Sequence, residues 1–422
     1  MRIDLGTGLA AIAVAMLIGV ATPCPVAAAT ARAPAGLAFY TPPSPLPEAK
    51  PGTVIWSRRA PRAIALPSAR RQHLVLYHSR AIDGRDIAVS GTLYIPRGTP
   101  PKTGWPLITW THGTTGLVAK CAPSRDTRRG PEHYALAPAR AMLDVYVRRG
   151  YAVAFSDFEG LGGSTAVHPF LQGEAEAHGA LDIMRAARQL DPRIGTRYVV
   201  MGHSQGGQAN LFTAALGPTY APEFKLLGNV AFAPASQIGE RITEMSKANK
   251  PSVALVYAMA FLQGLAANHP QIDLATILTP QALAHLDEMK HECISETLGI
   301  SGSRGSGYWP KAIPKDQFLP GADLGPVLKL AMANDPDRLK IAAPTLIMQG
   351  GRDVTVLPRT NDALARALCK SGTELMYEVF PSADHETVVQ QGKRLSHAFV
   401  KARFAGKPAI SNCNTLPTAA GQ

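Results

Sequence analysis

The sequence predicts an α/β architecture: a mostly parallel sheet with antiparallel strands at one edge, helices on both faces, and a helical insertion over one end. Three observations carry this. Short runs that are apolar throughout, such as WPLITW, YAVAF, YVVMG and PTLIM, recur along the chain, and such strands are covered on both faces. Between them lie stretches with apolar residues three to four apart, as in QGEAEAHGALDIMRAARQL, which is the helical period. The first two strands, HLVLYHS and DIAVSGTLYIP, are joined through an Asp-Gly, a hairpin signal that sets them antiparallel.

Taken in order, residues 1–29 combine a lone Arg2, an apolar run and small residues near Ala27 to Ala29. That is the pattern of a cleavable secretory signal. Residues 30–52 are proline-rich and predict an extended arm, because proline withholds backbone donors. Residues 53–236 form the first part of the α/β core. After the hairpin come the strand WPLITW, the helix PEHYALAPARAMLDVYVRRG stopped at Gly150, the strand YAVAF with its glycine-rich loop, a helix, the strand RYVVMG, a helix and the strand NVAFAP. Residues 237–338 contain no short β run and read as a helical cap with a glycine/serine loop. Their apolar stretch Val253 to Ala267 is a candidate lining for a substrate channel, alongside the simpler reading of a buried helix. Residues 339–422 complete the core with PTLIM, a helix, the strand ELMYEVF and a last helix.

The 422 residues are 46% hydrophobic and 18% charged, a globular composition. The formal net charge of +12 favours anionic surfaces such as cell envelopes. Its densest run, RRAPRAIALPSARR, lacks the aromatics and glycines of a nucleic-acid module, so no nucleic acid is expected as a partner. Without the signal, four cysteines remain: Cys121, Cys293, Cys369 and Cys413. In an oxidising compartment they suggest two disulfides. Cys121–Cys293 with Cys369–Cys413 is the favoured pairing, though spacing alone leaves three connectivities open. His285, His291 and Cys293 lie close in sequence, but a solvated helix face explains them better than a metal site.

The chemistry centres on Gly202-His203-Ser204-Gln205-Gly206, between a strand and a helix. A sharp turn there strains the middle residue and holds its hydroxyl at a helix N-terminus. Ser204 is the candidate nucleophile. It needs a base, and the partners are expected downstream in the order acid, then histidine. Asp353 follows the strand PTLIM, and His385 follows the strand ELMYEVF. Both loops belong to the same sheet edge as Ser204. Asp384 and Glu386 are weaker candidates for the acid, as neighbours of His385 on a tight loop. The oxyanion hole is assigned to the N–H groups of Gln205 and Thr114, the latter in the loop HGTTG. His112 reads as tying down that loop, and His203 as packing. Asp157 and Glu159 in SDFEGLGG imitate a paired-carboxylate site, but no second signal supports glycosidase chemistry.

The chain resembles the secretory lipase family, the lipase-A type of fungi and its bacterial relatives, within the α/β-hydrolase superfamily. The resemblance rests on FYTPP…PGT, HGTTG…CAPS, DFEGLGG, GHSQGG, GGRD and Asp384-His385. It implies Ser204, Asp353 and His385 as a triad, a helical cap gating an acyl tunnel, and hydrolysis of carboxylic esters, often acylglycerols. Phe158 stands where a tyrosine is commoner in such sequences. The expected partners are a lipophilic ester and, transiently, a lipid interface or an anionic cell surface. No protein partner and no cofactor are implied, because nucleophile, base and donors are all protein groups. A peptidase or amidase on the same fold, and a non-catalytic lipid-binding module, are the competing readings.

Overall fold

The computed structural model describes residues 32–163, 166–248, 250, 252–300 and 317–416. The signal segment and most of the glycine/serine loop lie outside them. Nine strands form one sheet: β1 (Val54–Arg59), β2 (Arg71–Arg80), β3 (Asp86–Ile95), β4 (Trp105–Thr111), β5 (Ala152–Ser156), β6 (Ile194–His203), β7 (Lys225–Phe232), β8 (Thr345–Gly350) and β9 (Leu375–Phe380). Their order is β1-β2-β3-β5-β4-β6-β7-β8-β9. The pairs from β1 to β5 are antiparallel and those from β5 through β4 to β9 are parallel. The α/β-hydrolase architecture expected from sequence is the one observed.

Two elements differ from the sequence reading. The antiparallel edge has a third strand, β1, whose Val54 and Trp56 are buried while Arg59 is exposed. Its alternation is short and runs into a basic, proline-containing stretch. The proline-rich arm is also not wholly extended: Gly36–Tyr40 forms a 3-10 turn that buries Phe39 and Tyr40. Trp56 Nε1 donates to the Phe39 carbonyl at 2.7 Å, and the Tyr40 hydroxyl donates to the Ser124 carbonyl at 2.9 Å. Buried aromatics with satisfied polar ends anchor the arm despite its prolines.

Apolar layers cover both faces of the sheet. On one side pack α2 (Gly173–Leu190), α3 (Gln205–Tyr220) and a helix over Pro358–Lys370. On the other pack α1 (His133–Arg148) and the last helix, Thr387–Phe404. Between β7 and β8 come α4 (Ile238–Ser246), α5 (Val253–Asn268), α6 (Pro280–Met289), α7 (Ile294–Thr297) and α8 (Gly325–Ala333). The helices at Pro358 and Thr387 are accordingly α9 and α10. Helices α4 to α8 share a separate apolar cluster, which meets the core at Leu117, Phe170 and Leu171.

Disulfides join Cys121 to Cys293 and Cys369 to Cys413. The first ties the loop after β4 to the start of α7. Beside it Gly116 makes an antiparallel bridge to Cys293, and Ile294 N–H donates to the Thr115 carbonyl at 3.0 Å. The second ties α9 to the C-terminal segment.

Candidate active site

Ser204 lies between β6 and α3 with φ 58° and ψ −122°. Few non-glycine residues adopt such angles, and a residue held there needs firm support. The support is visible. Its N–H donates to the Phe232 carbonyl at 2.9 Å, and its own carbonyl accepts from Gln208 and Ala235, both at 3.1 Å. The flanking glycines make the turn sterically feasible. A Cβ on Gly202 would fall 2.1 Å from the Gly206 carbonyl oxygen, and one on Gly206 would fall 2.1 Å from that of Thr111.

Three sheet-edge loops meet at this turn. His385 Nε2 lies 2.9 Å from Ser204 Oγ, and His385 Nδ1 lies 2.7 Å from Asp353 Oδ2. Asp353 is fully buried, and its Oδ1 accepts from the N–H groups of Thr355 and Val356, both at 2.9 Å. Gln349 Nε2 donates to Oδ2 at 3.3 Å. Burial alone would lower the His385 pKa, but the charge and hydrogen bond of Asp353, helped by Glu386 and Asp384, leave it raised. Asp384 accepts instead from Thr387, through its backbone N–H at 2.8 Å and its hydroxyl at 2.6 Å. The line Ser204–His385–Asp353 is therefore hydrogen-bonded end to end.

Thr114 lines the clefts on both sides of Ser204. The loop runs close to the serine: a Cβ added to Gly113 would lie 3.7 Å from Ser204 Cβ. His112 is buried, and its Nδ1 lies 2.7 Å from the Gly113 carbonyl. Burial lowers its pKa to about 4, so the ring is neutral and ill suited to proton exchange at neutral pH. His203 Nε2 reaches the His385 carbonyl at 2.8 Å, a hydrogen bond that holds the backbone of His385. A residue read as packing from sequence thus has a positioning contact, which no local pattern announces. Asp157 accepts from Ser124 N–H at 2.8 Å and Ser90 Oγ at 2.5 Å in full burial. That carboxylate is engaged by the serines around it. Cys293 is in a disulfide, which removes the thiolate from the His285–His291–Cys293 grouping.

Two clefts open at Ser204. The larger encloses about 680 Å³, part of it open to solvent, and runs under α4 and α5 past Leu171, Ile242, Met245, Ala258 and Phe261. Ala254, Tyr257, Ala258 and Phe261 follow the i, i+3, i+4, i+7 spacing of one helix face. Other faces of α5 pack into the apolar cluster through Leu255, Met259 and Leu262. The smaller cleft, about 480 Å³, is bordered by His385, Glu386, His112 and Leu136. Tyr257 stands at both.

The family model described as secretory lipase matches residues 138–412. A secreted triacylglycerol lipase of Malassezia globosa is 24% identical over 390 residues, covering 89% of this chain and 82% of that protein. A protein of Mycobacterium tuberculosis named as a probable inactive lipase is also 24% identical, over 88% of this chain and 82% of its own. Among solved structures, Candida antarctica lipase A in its closed state superposes with a TM-score of 0.73 at 22% identity, covering 91% of this chain and 89% of that one. No helix among the described residues is long and apolar enough to cross a membrane. The fold, the mixed nine-stranded sheet and the matched length agree: this chain is a carboxylic ester hydrolase of the lipase/esterase kind and belongs to the secretory lipase family.

Proposed function

We propose that the protein hydrolyses lipophilic carboxylic esters through an acyl-enzyme on Ser204. The observation that carries this is the unbroken line from Ser204 Oγ through His385 to Asp353 at the mouth of an apolar cleft. His385 takes the hydroxyl proton as Ser204 attacks the ester carbonyl. The oxyanion accepts from the N–H groups of Gln205 and Thr114, and Asp353 stabilises the imidazolium. The imidazole then protonates the leaving alcohol, and water, activated in the same way, releases the acid.

This proton transfer orients the substrate. The leaving oxygen must face His385, which borders the smaller, more polar cleft, so the alcohol sits there and the acyl chain enters the larger apolar one. Acylglycerols fit that division. We take residues 237–338 as the cap over the acyl cleft, with 53–236 and 339–422 as the core, 30–52 as the arm and 1–29 as the signal that exports the chain. The positive net charge suits transient contact with anionic surfaces.

The test is an acyl-chain series of p-nitrophenyl esters, each with a matched anilide, on the parent and on Ser204→Ala. Ester turnover should exceed anilide turnover, Ser204→Ala should lose about 10⁴-fold or more in kcat, and a fluorophosphonate should label the parent alone. Ester hydrolysis that survives in Ser204→Ala would overturn the mechanism.

A further inference from the structure

Behind the oxyanion hole lies a buried polar cluster that the triad does not require. Gln205 is 1% exposed, and its side chain is engaged by two buried partners. Its Nε2 lies 2.6 Å from Glu176 Oε1 and 2.6 Å from His168 Nε2. Glu176, on α2, and His168 are both fully buried. The same Glu176 oxygen accepts the Leu171 N–H at 3.0 Å. Leu171 has φ 57° and forms part of the acyl-cleft wall. His168 is fixed in turn, with Nδ1 2.7 Å from the Glu159 carbonyl.

The cluster extends to the other oxyanion donor. The His168 ring stacks on Phe158 with centroids 5.9 Å apart and planes 4° apart. Phe158, at φ 71°, stacks on His112 at 4.4 Å. His112 precedes Gly113 and Thr114. A column of three rings therefore runs from the loop of one proposed donor to the side chain of the other. Two N–H groups aimed at one developing charge are effective only when their separation is fixed beforehand.

We propose that Glu176 and His168 are positioning residues that hold Gln205, and through the Phe158–His112 stack the Thr114 loop, at the spacing the oxyanion requires. This rests on the reading of Gln205 and Thr114 as oxyanion donors. Neither Glu176 nor His168 touches substrate; both act through Gln205. Glutamine suits position 205 because its amide can bond the acid and the imidazole at once. Glu176 Oε2 has no hydrogen-bond partner among the described residues and is shut from solvent. Burial is the largest influence on this carboxyl and raises its pKa, and a glutamine there keeps the side chain's shape and its carbonyl acceptor.

The test compares Glu176→Ala, Glu176→Gln and Gln205→Ala with the parent on p-nitrophenyl butyrate, with inhibition by an alkyl boronic acid as a second readout. The boronate forms a tetrahedral adduct on the serine and places an oxygen in the hole. Glu176→Ala should lower kcat ten- to a hundredfold with KM within about threefold. The boronate Ki should rise in parallel, and Glu176→Gln should restore most of both. Gln205→Ala leaves His168 and Glu176 facing each other at 3.5 Å and carries the same test if Glu176→Ala does not fold. A kcat within twofold of the parent overturns the proposal, and so does a kcat loss without any change in boronate Ki. Both are distinct from failure of the functional reading, which shows as a parent that neither turns over esters nor is labelled at Ser204.

Discussion

Cys121–Cys293 and Cys369–Cys413 each close a loop, of 172 and 44 residues in sequence separation. By chain entropy alone they differ little, at about 5 and about 4 kcal/mol. Their surroundings differ far more. The first is buried and joins the loop that carries Thr114 to the start of α7 in the proposed cap. The second is half-buried and joins α9 to a segment running beside β9. There Asn412 behaves like a short strand. Its N–H donates to the Leu375 carbonyl at 3.0 Å, its Oδ1 accepts from Tyr377 N–H at 2.8 Å, and its Nδ2 donates to the Tyr377 carbonyl at 2.8 Å. One disulfide borders the proposed active site, while the other covers the open edge of the sheet, where unpaired backbone invites association with other chains. A crosslink's role follows from what its two ends are attached to, more than from the loop it closes.

The largest expected effect separates the two. A Cys121→Ser/Cys293→Ser double variant should lose several kcal/mol of stability and at least tenfold in kcat/KM, because the Thr114 loop is freed from α7. Cys369→Ser/Cys413→Ser should lose comparable stability, keep kcat/KM within about twofold, and aggregate more readily on warming. Thermal unfolding, ester kinetics and light scattering on both variants check this. Equal losses of activity would erase the distinction. Mild reductant offers a sharper version in the parent protein. The more exposed Cys369–Cys413 should open first, before activity changes.

A second, smaller effect concerns the same seam without its sulfur atoms. Glu132, at the start of α1, accepts from Ser295 N–H at 2.8 Å and from the Ser295 hydroxyl at 2.9 Å. It thereby caps α7 from the core side. Burial is the main influence on its carboxyl, with Glu296 and Asp126 nearby, and pushes its pKa up to about 7. An unfolded glutamate titrates near about 4.3. Between those values the folded protein holds a proton that the unfolded chain has released, so stability falls as pH rises through the window and levels off above it. Glu132→Gln lacks that dependence. The parent-minus-variant stability difference, from urea unfolding at pH 5 to 8, should decline by about 3 kcal/mol at most. A difference independent of pH would show that the group is charged throughout. Nothing equivalent is expected at the Cys369–Cys413 end.

These contrasts also mark what the sequence makes legible. Ser204 can be read because its turn admits only glycine at 202 and 206, and Asp353 and His385 can be read because each follows a buried strand. All three signals are local. The contacts of Gln205 with His168 and Glu176 span 37 and 29 residues, and no periodicity encodes them. The β1 strand is obscured because Val54 and Trp56 supply just two inward residues before an arginine run. In the cap the difficulty is of another kind. Helix α5 is apolar nearly all round, so its period identifies a helix without saying that Ala254, Tyr257, Ala258 and Phe261 form the face turned to the cleft.

The smallest effect tests whether the seam is held by buried donors or by surface charge. Lys120 Nζ lies 2.8 Å from Glu296 Oε2, next to the Cys121–Cys293 disulfide, with the lysine side chain 44% exposed. Such a pair contributes between zero and about 1 kcal/mol and is weakened by salt. Glu296 Oε2 also accepts the Cys293 N–H at 2.8 Å, and that bond survives removal of the lysine. Lys120→Ala should therefore shift the urea midpoint only slightly, by an amount that disappears at about 1 M salt, and leave ester turnover unchanged. Glu296→Ala should cost more, because it strands a backbone donor at the first turn of α7. If Lys120→Ala instead matched Glu132→Gln, charge rather than buried hydrogen bonding would join core to cap, and high salt would loosen the acyl cleft in the parent as well.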